Sequence, residues 1–587
     1  MSTAADLSAF EHSVEPATGE VLFSGKKWTY IQDSTSNNGV YSGQIQLNLS
    51  SISSQASFVN WQEAVIQLPI KLEILNTGSA LAANWGTAAT VDQLVPKAGA
   101  WQFIDSVSVV IDGVTVQTNQ IHENVNATLK ALTEWSLQDQ HKHGATSNFA
   151  LDSYEPPATN CPQTLDNLLT SAFVNASVGE YGLANTYTNA GAKERALFTG
   201  IATAAGKADY TGTLAADVSG TVSNSSAVAK PQVYVAPASG TVAVGEQLYA
   251  AHYVATIRLA DICDYFKKCP MSKNAKGFIY INYNSSMTSM STSASGTFTP
   301  SNLTANSFQT NMAFGNTCPV LYNIASSSSG ATIAPTGAFS ATTGLNITGG
   351  GSIMVKADVC GVASGKSGLT PSQQFTRLLV PTYMPNPTAD HALVQKKSFR
   401  YFERMTNKFT VQAGQSFTYT LTNGISNPKK LFLQPVITNP SLAGGALPDV
   451  INPLRSPFAT VPATTSPFAS LRNLQLTVGN IPIWNNPVNF GYDMYVQEMR
   501  DSGVDGGLDD DAKAGLLSQR QWESLYRFVA VDIGRRLPSE DGASKSIIIS
   551  GQNNTAFPLT VYYHIWRDAV ATVDTSMGTI SQGATQV

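Results

Sequence analysis

The sequence predicts an all-β chain built as two tandem lobes of one design. Three observations carry this expectation. A strand–turn–strand phrase, SVVIDGVTV from Ser108, returns about 370 residues later as QLTVGNIPI from Gln475. The strands upstream of the two phrases keep their spacing. Helical periodicity is confined to two short stretches.

Each element follows from local rules. Val107, Val109 and Ile111 alternate with Ser106 and Ser108, the period of a strand with one buried face. Asp112 and Gly113 both tolerate the positive φ of a two-residue hairpin turn. Val114 and Val116 then resume the apolar face. In the second copy Leu474, Leu476 and Val478 alternate with Asn473, Gln475 and Thr477, and Gly479-Asn480 makes the turn. Ile481 and Ile483 are expected on the same buried face. Pro482 has no N–H to donate, which assigns this return strand to an edge or to bonding on one side.

Upstream, AVIQLPIKLEIL from Ala64 sets Ile66, Leu68, Ile70, Leu72 and Ile74 on one face, and KLFLQPVI from Lys430 puts Pro435 where the first copy has Pro69. Pro69 to Asp112 is 43 positions and Pro435 to Gly479 is 44. Downstream, YVATIRLADI from Tyr253 matches RFVAVDIGRR from Arg527, and GFIYINY from Gly277 matches SIIIS from Ser546. RLLVPTYM from Arg377 pairs more loosely with LTVYYHIW from Leu559.

These marks divide the chain into a flexible arm (1–25), a first lobe (26–385), a second lobe (386–570) and a tail (571–587). MPNPTAD from Met384 reads as the linker. The first lobe carries a large insertion, with residues 145–245 rich in Ala, Gly, Ser, Thr and Asn, a composition of disordered loops or polar β projections. Residues 285–350 have the same texture. The best helix is NVNATLKALTEWSLQD from Asn124, with Leu129, Leu132 and Trp135 at helical spacing; QRQWESLYRFV from Gln519 suits a short one.

A chain of 587 residues is too long for one core. Charged residues make up 13 %, about half the usual share. Net charge is −5, and no long basic run exists; Lys267-Lys268 and Arg535-Arg536 are isolated doublets. Nucleic-acid binding as the main activity would need a clustered positive surface. The five cysteines, Cys161, Cys263, Cys269, Cys318 and Cys360, are odd in number and irregular in spacing, which suits reduced thiols rather than a disulfide framework or a zinc site. MSTAADLSAFEHS has no basic n-region or apolar core of a signal peptide, and no apolar run reaches the length of a membrane span.

Three stretches imitate chemistry. GVASGKSG from Gly361 has three residues between its glycines where a phosphate loop needs four, and Pro371 blocks the helix that should follow. The acidic loop 501–511 offers Asp501, Asp505, Asp509, Asp510 and Asp511, but Gly503 and the lack of a closing Glu break the calcium-loop spacing. His141 and His143 could share a metal, placed on a loop after the helix, with no third ligand suggested. No nucleophile elbow or zinc-protease motif appears. The expectation is no enzyme, with no catalytic, cofactor-binding or metal residues and no cofactor.

WTYIQDSTSNNGVYSGQIQLNL from Trp28, NWQEAVIQLPIKLEI from Asn60, the IDGV hairpin at Ile111 and NPKKLFLQPVI from Asn427 resemble the double jelly-roll major capsid proteins of polinton-like viruses and virophages, relatives of adenovirus hexon. The resemblance covers most of the chain as texture. It implies two eight-stranded jelly-roll barrels per chain, with large loop insertions and a few short helices. It further implies a homotrimer with a pseudo-hexameric outline that tiles an icosahedral capsid. The implied partners are neighbouring capsomers, pentameric vertex (penton) proteins and minor capsid proteins, with no sequence-specific nucleic-acid binding and no transmembrane segment. The implied location is the virion, assembled inside the host cell. The insertion 145–245 is expected to project outward. The rival readings are a trimeric β-sandwich spike or glycan-binding adhesin, and a β-sandwich sugar hydrolase.

Overall fold

The computed structural model describes residues 22–36, 38–52, 57–77, 94–96, 98–152, 154–155, 188–189, 191, 194–195, 222–223, 233–235, 243–284, 286–292, 297–298, 306–310, 319–321, 345–346, 351–366, 369–387, 393–437, 469–501, 515–534, 538–540, 542–555 and 557–583.

The first lobe is framed by eight strands: β1 (Phe23–Gln32), β2 (Gln44–Asn48), β3 (Val65–Asn76), β4 (Ile104–Ile111), β5 (Val114–Gln117), β6 (Gln247–Arg258), β7 (Gly277–Tyr283) and β8 (Arg377–Pro385). The second lobe repeats them as β9 (Lys396–Val411), β10 (Ser416–Ser426), β11 (Pro428–Ile437), β12 (Leu471–Val478), β13 (Ile481–Pro482), β14 (Val529–Asp532), β15 (Ser544–Asn553) and β16 (Leu559–Asp574). All the pairings between these strands are antiparallel.

In lobe one β1-β8-β3-β6 form one sheet and β2-β7-β4-β5 the other. In lobe two the orders are β9-β16-β11-β14 and β10-β15-β12-β13. Adding eight to each label of the first lobe gives the second. First strand beside eighth, and second beside seventh, is the wrapping of a jelly roll, so the chain is a double jelly roll. In lobe two, residues from both sheets (Leu431 and Val561 from one, Leu476 and Ile549 from the other) meet in one buried core.

The duplicated hairpins sit at the same place in both barrels, joining β4 to β5 and β12 to β13. Asp112 and Gly113 have φ of 50° and 77°; Gly479 and Asn480 have 57° and 67°. Two consecutive positive φ values define the mirror-image turn whose twist suits a hairpin. Both return strands are sheet edges, as the missing N–H of Pro482 requires. Val107, Val109, Ile111, Leu474, Leu476 and Val478 are all buried.

The structure corrects several details. Ile481 is not on a buried face: it is 62 % exposed, because the edge strand is only two residues long. Pro69 and Pro435 lie in equivalent strands but on opposite sides. Strand alternation puts Pro435 with the inward Leu431 and Leu433, whereas Pro69 faces outward with Gln67 and Lys71. Within a strand, a one-residue offset is enough to move a side chain to the other face. The expected tail is β-structure: β16 runs to Asp574, and β17 (Ile580–Gly583) turns back to pair Val573 with Ile580.

The insertions are the connections β5–β6 and β7–β8. The first begins with α1 (Glu123–Glu134) and α2 (Leu137–His143). Ser136 caps α2, its Oγ accepting from the Asp139 N–H while Asp139 reaches back to the Ser136 N–H. Short strands from the insertions extend the β3 sheet: Gly351–Val359 pairs with β3 and Val233–Val235 with β6. Most of 145–245, and the greater part of 285–350, lies outside the described residues. The second lobe carries α5 (Tyr492–Asp501) in the corresponding β13–β14 connection. Between β6 and β7 stand α3 (Leu259–Ile262) and α4 (Asp264–Lys268). The stretch at Gln519 forms one helical turn followed by a π-helical turn, Trp522–Tyr526.

Candidate functional site: the seam between the barrels and its open counterpart

One face of the β9-β16-β11-β14 sheet lines the barrel core. The other lies under lobe one. Alternation presents Phe402, Arg404 and Thr406 from β9, Tyr562, His564 and Trp566 from β16, Lys430, Phe432 and Gln434 from β11, and Phe528 beside β14. His564, Lys430, Phe432, Gln434 and Phe528 are 0 % exposed. The apolar part is aromatic: Phe432 meets Trp566 edge-on at 5.0 Å, and Tyr495 of α5 meets Phe528 at 5.5 Å.

Lobe one seals this face with α1 and α4. The Trp566 Nε1–H donates to Asn126 Oδ1 at 3.0 Å. Arg404 reaches Glu123 Oε2 at 2.7 Å and donates to the Ile121 and Gln120 carbonyls at 2.7 and 3.2 Å. That anchors the start of α1. Asp264 accepts the Phe402 N–H at 2.8 Å with one oxygen and faces Lys130 Nζ at 3.3 Å with the other. Tyr265 packs on Phe399 and Tyr401 with ring centres 5.3 and 5.4 Å away. At the margin Gln582 of β17 donates to the Thr115 carbonyl of β5.

Charge placement follows burial. Burial alone would lower the Lys130 ammonium, but Asp264 and Glu134 more than offset it and its pKa is raised. The His564 imidazole is held well below its usual value, by burial first and then by Arg404 and His122. Its Nδ1 lies 2.8 Å from the Thr406 hydroxyl. The seam therefore joins ion pairs and hydrogen bonds to an aromatic surround, and the buried Gln434 amide and His564 Nε2 have no hydrogen-bond partner among the described residues.

The β1–β8 side of the equivalent face of lobe one is open among the described residues, whereas Glu73 and His252 farther across it are buried. Trp28 and Tyr30 of β1 are each 54 % exposed. Beside them the register places Pro381 and Leu379 of β8, then Val65 of β3, with Val254 of β6 on the same side. Val65, Val254 and Leu379 are half-buried. Lys26 lies 5.1 Å from the Trp28 ring and Arg377 5.0 Å from the Tyr30 ring. Trp, Tyr and Arg around small apolar residues are the composition that carries binding energy at protein interfaces.

The stretches that imitate chemistry are placed as follows. The loop at Gly361 is followed by irregular chain and then β8, with no helix to hold a phosphate; its Ser364 Oγ lies 2.7 Å from His252 Nε2. His141 and His143 lie within α2 rather than on a loop, and His143 packs on Trp135. The acidic loop beyond Asp501 lies outside the described residues. No cluster of three or more potential metal ligands occurs among the described residues. Cys263 and Cys269 are buried and free, and burial pushes both thiols up, Cys269 to about 12. Cys161 and Cys318 lie outside the described residues. No described helix is long and apolar enough to cross a membrane.

No protein-family model matches the chain, and no curated protein matches it by sequence. Among solved structures it is similar to a chain of the Sputnik virophage determined by cryo-EM, at TM-score 0.48 and 11 % identity over 98 % of this chain and 91 % of that one. It is similar to the mavirus major capsid protein at TM-score 0.45 and 11 % identity, over 98 % and 94 % of the two chains. It is similar to PBCV-1 VP54, fitted into a reconstruction of Sputnik, at TM-score 0.38 and 7 % identity over 96 % and 98 %.

Proposed function

We propose that the chain is the major capsid protein of a virus, and that three copies close into a pseudo-hexameric trimer that tiles an icosahedral shell. One observation supports this reading: of two barrels with identical strand order, one has this sheet face sealed, and the other has the β1–β8 side of it open among the described residues. The seal on lobe two is lobe one of the same chain. The matching occupant for the open face of lobe one is lobe two of another copy. Such a contact joins unlike surfaces, so it repeats head to tail until a ring closes. Three chains with two barrels each give six similar units around that ring. The texture resemblance to double jelly-roll capsid proteins points the same way.

In this reading the role is structural rather than catalytic, and the protein resides in the virion. Neighbouring trimers, pentameric vertex proteins and minor capsid proteins are its partners. The insertion 145–245 projects from the outer surface. A second reading is favoured by the same two aromatics, because exposed Trp28 and Tyr30 could stack on sugar rings, as in a glycan-binding adhesin. They stand on an edge strand and not in a groove, which favours the first.

Negative-stain microscopy with light scattering tests the proposal. Particles of three times the 62.3 kDa chain with a hexagonal outline are expected. Monomers or elongated particles would overturn it, and glycan-array binding by such particles would select the adhesin.

A further inference from the structure

The sequence scatters its lysines in doublets, and the fold collects several of them at one end of the molecule. This is the end where β1 and β9 begin, where β8 and β16 finish, and where the hairpin turns and the β6–β7 connections lie. Backbone hydrogen bonds fix these neighbours: Asp112 N–H donates to Lys276 O, Lys273 N–H to Thr575 O and Asn386 N–H to Leu22 O. A chain of contacts runs along this end of lobe one as far as Lys273, which bonds Thr575 of lobe two. Lys26 lies over the Tyr383 ring, Tyr383 packs on Phe23, Phe23 on Phe58, and Lys273 lies over Phe58. Lys396 pairs with Asp574 in register, next to Thr575.

Lys27, Lys268, Lys276, Lys396, Lys397 and Arg400 are all exposed at this end. None of these six is held in an ion pair among the described residues. Among the described residues the opposing acids at this end are few. Glu63 is bound to Lys26, and Asp574 accepts from Ser576 and Met577. Asp112 sits exposed in the hairpin turn. Among the described residues, this end therefore carries more exposed cations than acids although the net charge of the chain is −5. An isolated lysine is a solvated charge, whereas a cluster without matching acids sets up a local positive potential that attracts polyanions.

We propose that this end is a polyanion-binding face that takes double-stranded nucleic acid through its phosphates, without reading sequence. Recognition by lysine point charges and one guanidinium needs phosphates in series and nothing else. The inference rests on the capsid reading only for its setting, a shell with a packed genome on one side. It also assigns that side: the end with the β1 and β9 starts faces inward.

The test is fluorescence anisotropy of a labelled 30-base-pair duplex of arbitrary sequence, titrated with the full chain at increasing salt. Affinity should fall linearly with log salt concentration, because phosphate contacts release counterions. The K396E/K397E variant should weaken binding at 50 mM salt by about tenfold or more and flatten the salt slope by about 2. R472E reverses an exposed charge at the opposite end, where β12 starts, and should change neither. Absence of binding to the wild type at low salt would overturn the proposal, as would equal losses in both variants. Binding to phosphatidylserine vesicles but not to the duplex would also overturn it, in favour of a membrane-facing base. Light scattering on the same samples keeps the two questions apart: trimers that ignore DNA sink this inference alone, and monomers sink the capsid reading.

Discussion

Removing Arg404 tests whether the seam holds the two barrels together as argued. The Arg404 and Glu123 side chains are 6 % and 4 % exposed, and Arg404 also caps the Ile121 and Gln120 carbonyls. Arg404→Leu leaves the Glu123 carboxylate buried without its cation. Breaking one partner of such a pair costs about 3–5 kcal/mol, mostly as an uncompensated charge. Adding Glu123→Gln removes that charge and should recover about 1–3 kcal/mol, leaving the cost of two carbonyls without donors. Scanning calorimetry and urea unfolding, followed by tryptophan emission, would read both effects. The single variant should unfold in two separated transitions, since each barrel has strands enough to stand alone once the seam is weakened. A loss under about 1 kcal/mol would refute the reasoning, because a seam so tolerant would not be dry. So would a double variant no more stable than the single one.

Three further outcomes are expected. Stability should decline as pH falls below about 6.5, because an unfolded chain protonates its histidines there and the buried ones resist. Burial and Arg404 hold His564 down, and burial and Lys71 hold His252 to about 4. Their share of stability is complete above pH 6.5 and shrinks by about 1.4 kcal/mol per pH unit for each imidazole, for His252 until about pH 4; His252→Gln should show a shallower decline in urea midpoints. Replacing Trp28 and Tyr30 together with Asp should shift the melting temperature little and abolish the trimer by light scattering, whereas retention of the trimer would remove the open face from the interface. Gly113→Ala and Gly479→Ala should each cost about 1–2 kcal/mol, since both sites need positive φ and neither added methyl meets a close obstacle.

The sequence revealed the duplication because hairpins and alternating strands are written locally. Asp112-Gly113 and Gly479-Asn480 name their turn by residue type, and the buried faces of β3 and β4 follow from a period of two. Sheet order was not legible. β1 pairs with β8 across more than 340 positions, Trp28 with Pro381, and no local rule encodes such a partner. The matched prolines misled because proline marks a strand without marking which face it is on. The seam was also invisible: Glu123 and Asn126 on α1, Asp264 on α4 and Arg404 on β9 come from three distant places, and each alone reads as a surface residue. An unusual burial of charge on α1 was detectable only in outline, as Glu123, Lys130 and Glu134 interleaved with Leu129 and Leu132 on one helix. The basic end escaped for the same reason, since its cations belong to separate elements: β1, α4, the β6–β7 connection and β9.

The two equivalent faces differ in chemistry in a way that their histories explain. The face of lobe two is sealed within the chain that bears it, where a tether keeps the partner at high effective concentration. It can therefore bury charged pairs such as Arg404–Glu123 and Lys130–Asp264, whose value lies in fixing register more than in net energy. Under the proposed trimer, the face of lobe one must remain soluble until another copy arrives. Buried-type charges there would have to be stripped of water at each encounter, at a cost of several kcal/mol per ion. On its β1–β8 side the cations Lys26 and Arg377 lie over aromatic rings beside Trp28, Tyr30, Leu379 and Val65, while the Lys71–Glu73 pair lies farther along β3. That arrangement lets association draw on apolar burial while the cations stay hydrated at the rim. Under the proposed trimer, one ancestral contact used once inside a chain and once between chains would diverge in this direction: toward ionic register where the tether pays the entropy, toward aromatic anchors where diffusion must find the partner.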